Sequence, residues 1–224
     1  MPELFTSRLR ATVEPIWRAQ HEHPFITGIG DGSLGLARFR HWVRQDYRFL
    51  IEYARTLATA SARAPDLDSM TKLAELTYET LTTEMSLHRS YAKQFNISKE
   101  ELATEVMSPT CQAYTDFLVR VATTGSFPQI VGALLPCMWG FSEIGLRLLA
   151  KGLPSDPRYA AWVEMYSSSE FVALADWCRN LLERCAKGLP EGELARIEEV
   201  FVNSSKYEYL FWDMAWNEER WPVR

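Results

Sequence analysis

The chain has 224 residues, 47% of them hydrophobic, and a formal net charge of -5. This length and hydrophobic content predict one globular domain over residues 1–224 with a sizeable core. The interspersed charges form no basic stripe of the kind that neutralises nucleic-acid phosphates. No signal peptide is apparent, and the longest strongly apolar run, over residues 130–141, is shorter than the roughly 20 residues that span a membrane. We therefore expect a cytoplasmic protein that has neither nucleic acid nor membrane as a partner.

The four cysteines are Cys111, Cys137, Cys178 and Cys185. No two of them have C-x-x-C spacing, and none lies beside a cluster of histidines. This arrangement argues against a zinc site and against a disulfide framework, and it favours a reducing compartment.

Few turn signals interrupt the chain, and the long segments between them predict helices. The first helix is expected over residues 6–20, followed by a glycine-rich loop over 23–33 in which Ser33 caps the next helix. Over residues 34–63, apolar side chains recur every three, four or seven positions, which is typical of one buried helical face. Asp46 falls on this stripe, whose apolar members are Leu36, Phe39, Val43, Leu50, Tyr53 and Leu57.

The next helix is expected over residues 70–95, and His88 falls on its apolar face. The other members of that face are Ala74, Tyr78, Leu81, Met85, Ala92 and Phe95. Ser98 and Glu101 are spaced as a capping box for a short helix, and the Ser108-Pro109 pair begins another that runs to about residue 121.

Three further helices are expected, over residues 128–151, from the Asp156-Pro157 pair to about 187, and from about 191 to the end of the apolar pattern. Gly152 is a natural stop for the first of them. Glu208 interrupts the stripe of the last, which consists of Leu194, Ile197, Phe201, Ser204, Phe211 and Ala215. Since no period-two alternation is sustained, the sequence predicts an all-α bundle of roughly eight helices.

Asp46, His88 and Glu208 therefore lie on stripes that should face a core. An unpaired buried carboxylate costs several kcal/mol, so it needs a partner, a shifted pKa or a wet cavity. A single such residue is explained by a solvated stripe edge, and a lone core histidine by a hydrogen bond. Three on separate helices favour a shared polar pocket.

Cys137 follows Pro136 inside an apolar stretch. The proline ring removes the helical hydrogen bond to the carbonyl of Gly132 and is expected to bend the helix there. A bend beside Gly132 and Gly140 leaves room in which a thiol could attack a small flat substrate, although inert packing is the ordinary role of a buried cysteine. Four aromatic residues fall on inward-facing stripes near the polar residues and could stack on a heteroaromatic ring: Phe49, Tyr114, Phe141 and Tyr166.

Six stretches spread over nearly the whole chain resemble the TenA family, also called thiaminase II or aminopyrimidine aminohydrolase. They are RQDYRFLIEYAR, EMSLHRSYAKQF, SPTCQAYTDFL, LLPCMWGFSEIG, YAAWVEMYSSSEF and SSKYEYLFWDMAW. The resemblance implies a heme-oxygenase-like helical bundle, a homotetramer and a pyrimidine pocket, with no metal or organic cofactor.

The resemblance also implies the roles of residues. Cys137 would be the nucleophile and Glu208 the acid that protonates a ring nitrogen, which makes a ring carbon accept the thiolate. Asp46 would hold the amino group of the pyrimidine, and His88 and Phe49 would pack on the ring. Tyr114, Tyr166 and Phe141 would complete the pocket. The adduct would expel ammonia from an aminomethyl-pyrimidine, or the thiazole from thiamine, and water would replace the expelled group.

One residue departs from the family pattern: many members have P-C-x-W-x-Y, but this chain has Phe141 in place of the tyrosine. A hydroxyl that could hydrogen-bond the thiol is missing, and one such bond is worth about 0.5 to 1.5 kcal/mol.

Other functions stay open. A pyrimidine-binding protein with weak or no hydrolase activity is one alternative, and a regulator is another that the acidic charge disfavours. A metal-dependent oxygenase or a quinone-cofactor synthase would have a similar fold. Glu84 and His88 are one helical turn apart, but no paired Glu-x-x-His completes a dinuclear site.

Overall fold

A computed structural model describes residues 4–223, which contain twelve α-helices, one π-helical turn and no strand. The all-α prediction is confirmed, whereas the estimate of roughly eight helices is too low because three expected helices are divided and an expected loop is helical. The helices are α1 Phe5–Thr12, α2 Glu14–Glu22, α3 Pro24–Asp31, α4 Leu36–Ala62, α5 Leu67–Glu79, α6 Met85–Gln94, α7 Lys99–Thr104, α8 Pro109–Thr124, α9 Phe127–Leu149, α10 Pro157–Ser167, α11 Ser169–Ala186 and α12 Glu191–Asn217. The π-helical turn, Thr80–Glu84, joins α5 to α6.

The described chain forms two compact units, each assembled from separate segments. Unit 1 contains residues 4–34 and 128–212, and unit 2 contains residues 35–127 and 213–223. In unit 1, α1 and α10 pack on α11, and α3 packs on α2 and α10. In unit 2, α4 packs on α5, α6, α7 and α8. The single-domain expectation stays a prediction.

The expected loop over residues 23–33 is wrong, because α3 occupies most of it. The ring Nδ1 of His23 accepts the amide N–H of Phe25 at 3.1 Å and caps this helix. Gly30 lies where a Cβ would come within 2.7 Å of a Leu148 methyl, so this glycine serves close packing. Of the three glycines in this stretch, Gly32 alone, with φ of 79°, has the left-handed conformation that ends a helix.

Ser33 does not cap α4, whose N-cap residue is Gly35 without a side-chain hydrogen bond. The first expected helix is divided at Val13, because Pro15 has no N–H to continue the ladder. The helix expected over 156–187 is divided at Ser168, whose hydroxyl accepts the Phe171 amide and begins α11. The capping box of Ser98 and Glu101 is confirmed.

Apolar faces were expected correctly on most helices. Leu36 is an exception on α4, at 44% exposed, and Ala74, Tyr78 and Leu81 are exposed around α5. The buried residues of α5 and the π-helical turn are Ser69, Leu73, Leu76 and Thr80.

One helix of the described residues, Phe127–Leu149, is long and apolar enough to cross a membrane by length and composition. Of its most apolar window, 72% is buried inside the protein, which is typical of the core helix of a soluble protein.

Candidate active site

The three polar residues expected to interrupt apolar stripes are all buried. Asp46 is 3% exposed, His88 0% and Glu208 3%. The four aromatic candidates are buried as well, and the Cys137 side chain is half-buried. Cys137, Phe141, Tyr166 and Glu208 belong to unit 1, and the other four candidates belong to unit 2.

In unit 1, α9 and α12 lie side by side in the same direction. The hydroxyl of Ser204 donates to the carbonyl of Ala133 at 2.7 Å, and the rings of Phe141 and Trp212 lie 4.9 Å apart. These contacts are eight residues apart on each helix, that is, about two turns. Cys137 and Glu208 each lie midway between them, four residues from either contact. The register therefore puts Cys137 and Glu208 at the same level of two adjacent helices.

Aromatic rings surround the Phe141 position of unit 1. Tyr166 lies 4.8 Å from Phe141, and Trp162 lies 5.9 Å from it, measured between ring centroids. Tyr166 comes close because Gly145 carries no side chain: a Cβ there would be 2.6 Å from the Tyr166 carbonyl carbon. This glycine lets the end of α10 lie directly on α9.

In unit 2, Asp46 on α4 and His88 on α6 form a buried ion pair. Oδ2 of Asp46 lies 2.6 Å from Nε2 of His88, although the ring N–H is not well aligned with that oxygen. Nδ1 of His88 donates to the main-chain carbonyl of Glu84 at 3.0 Å. Since both ring nitrogens face acceptors, the imidazolium form is favoured. Burial lowers the pKa of His88, but the Asp46 charge outweighs it and the pKa is raised above its ordinary value.

The π-helical turn positions this histidine. Glu84 is the last residue of the turn, and its carbonyl holds Nδ1 four residues on. Trp42, one turn before Asp46 on α4, covers the imidazole with a centroid separation of 5.2 Å. The histidine is thus fixed from two sides.

Phe49 and Tyr114 are brought together in the same unit, with ring centroids 5.0 Å apart. Phe49 follows Asp46 by three residues on α4, so the aromatic pair and the ion pair lie on neighbouring parts of one helical face. Beside them, the thiol of Cys111 donates to the carbonyl of Gln45 at 3.5 Å, and burial raises its pKa well above the ordinary value. That thiol is unsuited to nucleophilic attack.

Sequence reasoning missed three aromatic residues of these surroundings: Trp42, Trp162 and Trp212. Trp42 precedes Asp46 by one turn and Trp212 follows Glu208 by one turn, so helical spacing could have found both. Trp162 precedes Tyr166 by the same interval.

No group of three or more His, Cys, Asp or Glu is arranged to hold a metal ion in the part of the chain that the structure describes. Glu84 and His88, the pair considered above, are joined by a hydrogen bond from the imidazole of His88 to the main-chain carbonyl of Glu84.

Comparison with known proteins agrees with this architecture. A model of the TENA/THI-4/PQQC family matches residues 10–218. The chain belongs to the TENA/THI-4/PQQC family. It is 44% identical to the aminopyrimidine aminohydrolase of Halalkalibacterium halodurans over 97% of both chains.

Solved structures confirm the fold. A TenA homologue from P. horikoshii OT3 superposes with a TM-score of 0.89 at 29% identity, over 96% of this chain and 99% of that one. A domain with a heme oxygenase-like fold from Shewanella denitrificans superposes with a TM-score of 0.74 at 17% identity, over 95% and 92%. The expected heme-oxygenase-like class is therefore correct.

Proposed function

We propose that this protein is an aminopyrimidine aminohydrolase of the thiaminase II type, acting in thiamine salvage. It converts an aminomethyl-pyrimidine and water to the hydroxymethyl-pyrimidine and ammonia, and it accepts thiamine as an alternative substrate. Family membership and the 44% identical aminohydrolase support this activity. The observation that carries the mechanism is the register of α9 and α12, which supports a cysteine and a buried glutamate acting on one ring.

The chemistry follows from those two groups. Glu208 donates a proton to a ring nitrogen, which makes the ring carbon electrophilic enough to bond the Cys137 thiolate. The adduct then releases the amine from the exocyclic methylene, water adds there, and the carbon–sulfur bond breaks as aromaticity returns. Proton transfer by a positioned acid is worth about 10²- to 10⁴-fold.

Asp46 recognises the amino group of the pyrimidine. Its Oδ2 lies 2.6 Å from His88, and the other carboxylate oxygen accepts a hydrogen bond from the amino group of the substrate. The aromatic residues Phe49, Tyr114, Phe141 and Tyr166 stack on or enclose the flat ring. No cofactor takes part.

The decisive experiment compares Cys137→Ala and Glu208→Gln with the parent protein, by ammonia release and by chromatography of the pyrimidine product. Both variants should remain folded and lose at least 10²-fold in kcat/KM. Cys185→Ala is the matched control, because that thiol is also half-buried in unit 1. Full activity of Cys137→Ala would refute the mechanism.

A protein that only binds pyrimidines is the second candidate, and the missing hydroxyl at Phe141 favours it. Tight binding of the aminopyrimidine by the parent protein, with no ammonia released, would identify it.

A cytoplasmic homotetramer is the expected working form. Assembly is supported by an apolar surface cavity of about 480 Å³ in unit 1, because covering exposed apolar surface with another chain is energetically favourable. The cavity is lined mainly by Pro15, Ile16, Ala19, Tyr209 and Leu210.

A further inference from the structure

A second, polar cavity lies wholly in unit 2, at the start of α4. Its volume is about 310 Å³, at the lower end of the range of small-molecule pockets. Arg40, His41 and Arg44 line it from successive turns of α4, and Glu105, Glu218 and Arg220 line it from the chain around them. None of these residues has a part in the hydrolase chemistry above.

His41 makes this cavity unusual. The side chain is 6% exposed, and its Nε2 is buried without a hydrogen-bond partner among residues 4–223. Buried ring nitrogens in proteins ordinarily have a partner, and one without it marks a place where a ligand can supply the missing contact.

The three arginines of the cavity differ in whether they form ion pairs within the protein. Arg44 holds Glu105 at 2.5 Å and Glu101 at 3.3 Å, so the Glu105 charge is already compensated. The side chains of Arg40 and Arg220 form no salt bridge or hydrogen bond with the rest of the described chain, and both are exposed. With three arginines against two glutamates, the lining carries an excess of positive charge.

The segment that carries Arg220 is fixed on both sides. Oε2 of Glu219 accepts the amide N–H of Thr110 at 2.9 Å, and the indole of Trp221 donates to the carbonyl of Met107 at 2.8 Å. Arg220 is therefore held at the cavity by its neighbours and does not depend on a partner of its own.

We propose that this cavity binds the phosphate group of a small molecule. Arg40 and Arg220 supply planar guanidinium groups that match phosphate oxygens in pairs, and the buried ring of His41 supplies an N–H. Inorganic phosphate and a phosphate monoester share this chemistry.

Titration calorimetry of the full chain at low ionic strength tests the site, with inorganic phosphate and glycerol 3-phosphate as separate probes. One molecule of at least one probe should bind per chain, and the tighter probe identifies the source of the phosphate group. Arg40→Gln and Arg220→Gln should each weaken binding at least tenfold. The control Arg184→Gln removes the same charge from an exposed position of α11 in unit 1 and should change affinity less than twofold.

Sulfate binding measures the contribution of His41 protonation separately, because the charge of sulfate is constant near neutral pH. Burial and the Arg220 charge lower the pKa of His41, against the opposing charges of Glu218, Glu105 and Glu219. An anion favours the protonated ring, so sulfate affinity should rise as pH falls from 8 to 6, by up to tenfold per unit. His41→Gln should remove this dependence.

The proposal would be overturned if neither inorganic phosphate nor glycerol 3-phosphate bound at 10 mM. Equal weakening by Arg184→Gln would overturn it too, because that result means general charge attraction. Hydrolase activity serves as an independent readout and should be unchanged in the Arg40 and Arg220 variants.

Discussion

Phe141, which departs from the P-C-x-W-x-Y motif that the sequence resembles, lies one turn after Cys137 on α9. We expect Phe141→Tyr to raise kcat/KM for ammonia release by about two- to tenfold, because a hydroxyl there can hydrogen-bond the thiol. Phe171→Tyr is the control, because it adds a hydroxyl at another place in the same aromatic cluster. Phe171 is on α11, and its ring centroid lies 5.1 Å from that of Tyr166. A fall in activity at unchanged thermal stability would contradict the expectation.

The pair of Asp46 and His88 makes stability depend on pH. The pKa of His88 is raised in the folded protein, so the stabilisation is complete below about pH 6.5, the unfolded value, and is lost as pH rises through the folded pKa. The free energy of unfolding should therefore fall with rising pH in this window, by at most about 1.4 kcal/mol per pH unit. Urea unfolding at a series of pH values measures it.

Asp46→Asn should flatten that dependence, because the neutral amide no longer favours the imidazolium. Asp116→Asn, which removes a carboxylate from an exposed position of α8, should leave it intact. An unaltered slope in Asp46→Asn would mean that another group titrates.

The sequence predicted which residues of the candidate site are buried, but it did not predict their partners. The resemblance implies that Asp46 holds the pyrimidine amino group and that His88 packs on the ring, but it does not predict their own ion pair. Helical periodicity tells which face of one helix is apolar, whereas the partner across the interface depends on how two helices are placed. Only packing decides that placement.

Two glycines of α9 differ in what surrounds them. A Cβ at Gly145 would lie 2.6 to 2.8 Å from main-chain atoms of Tyr166 and Ser167, whereas a Cβ at Gly140 would meet nothing within 4 Å. Gly145→Ala should cost about 1 to 3 kcal/mol of unfolding free energy, since main-chain atoms of α10 must shift. Thermal or urea unfolding checks this value.

Gly140→Ala in the same helix is the matched variant and should gain about 0.4 to 1 kcal/mol, because alanine loses less conformational freedom on folding. Equal effects of the two variants would show that close packing of α10 does not decide the choice of Gly145.

The π-helical turn explains why the apolar face of α5 was predicted wrongly. The buried residues step by three and four from Leu73 through Leu76 to Thr80, and then by five to Met85. A five-residue step is the spacing of a π-turn. Extending the phase of Met85 backwards in α-helical steps selects Leu81, Tyr78 and Ala74 instead, all of them exposed.

Two helix starts were predicted from their capping serines, whereas the side-chain caps at His23 and Ser168 and the packed glycines of α3 were missed. Ser98 and Ser108 each accept a backbone N–H at the N-cap, as their spacing indicates. The sequence predicts Gly28 and Gly30 in a loop, although they lie inside α3 against Leu34 and Leu148. Composition alone does not separate a glycine needed for a turn from one needed for close approach.

The apolar cavity of unit 1 is the surface on which the proposed assembly can be tested. Leu210 is 42% exposed beside it. If chains cover this surface in a tetramer, Leu210→Glu should lower the mass in solution from four chains to fewer, because a buried unpaired charge is costly. Size-exclusion chromatography with light scattering measures the mass.

Leu153→Glu is the control, with 46% exposure in unit 1 and no part in that cavity. Loss of the tetramer in both variants, or a tetramer that survives Leu210→Glu, would assign the assembly to another surface.

Because unit 1 is assembled from two separate segments, its packing partners leave the ribosome at different times. The amide groups of Phe5 and Thr6 donate to the carboxylate of Glu183, 178 and 177 residues further on. At about 5 to 20 residues per second, the ribosome would supply that acceptor roughly 9 to 36 s after the donors. Residues 35–127, which supply most of unit 2, emerge within this interval. The helices of unit 2 can therefore begin to pack on one another before α1 can pack on α11.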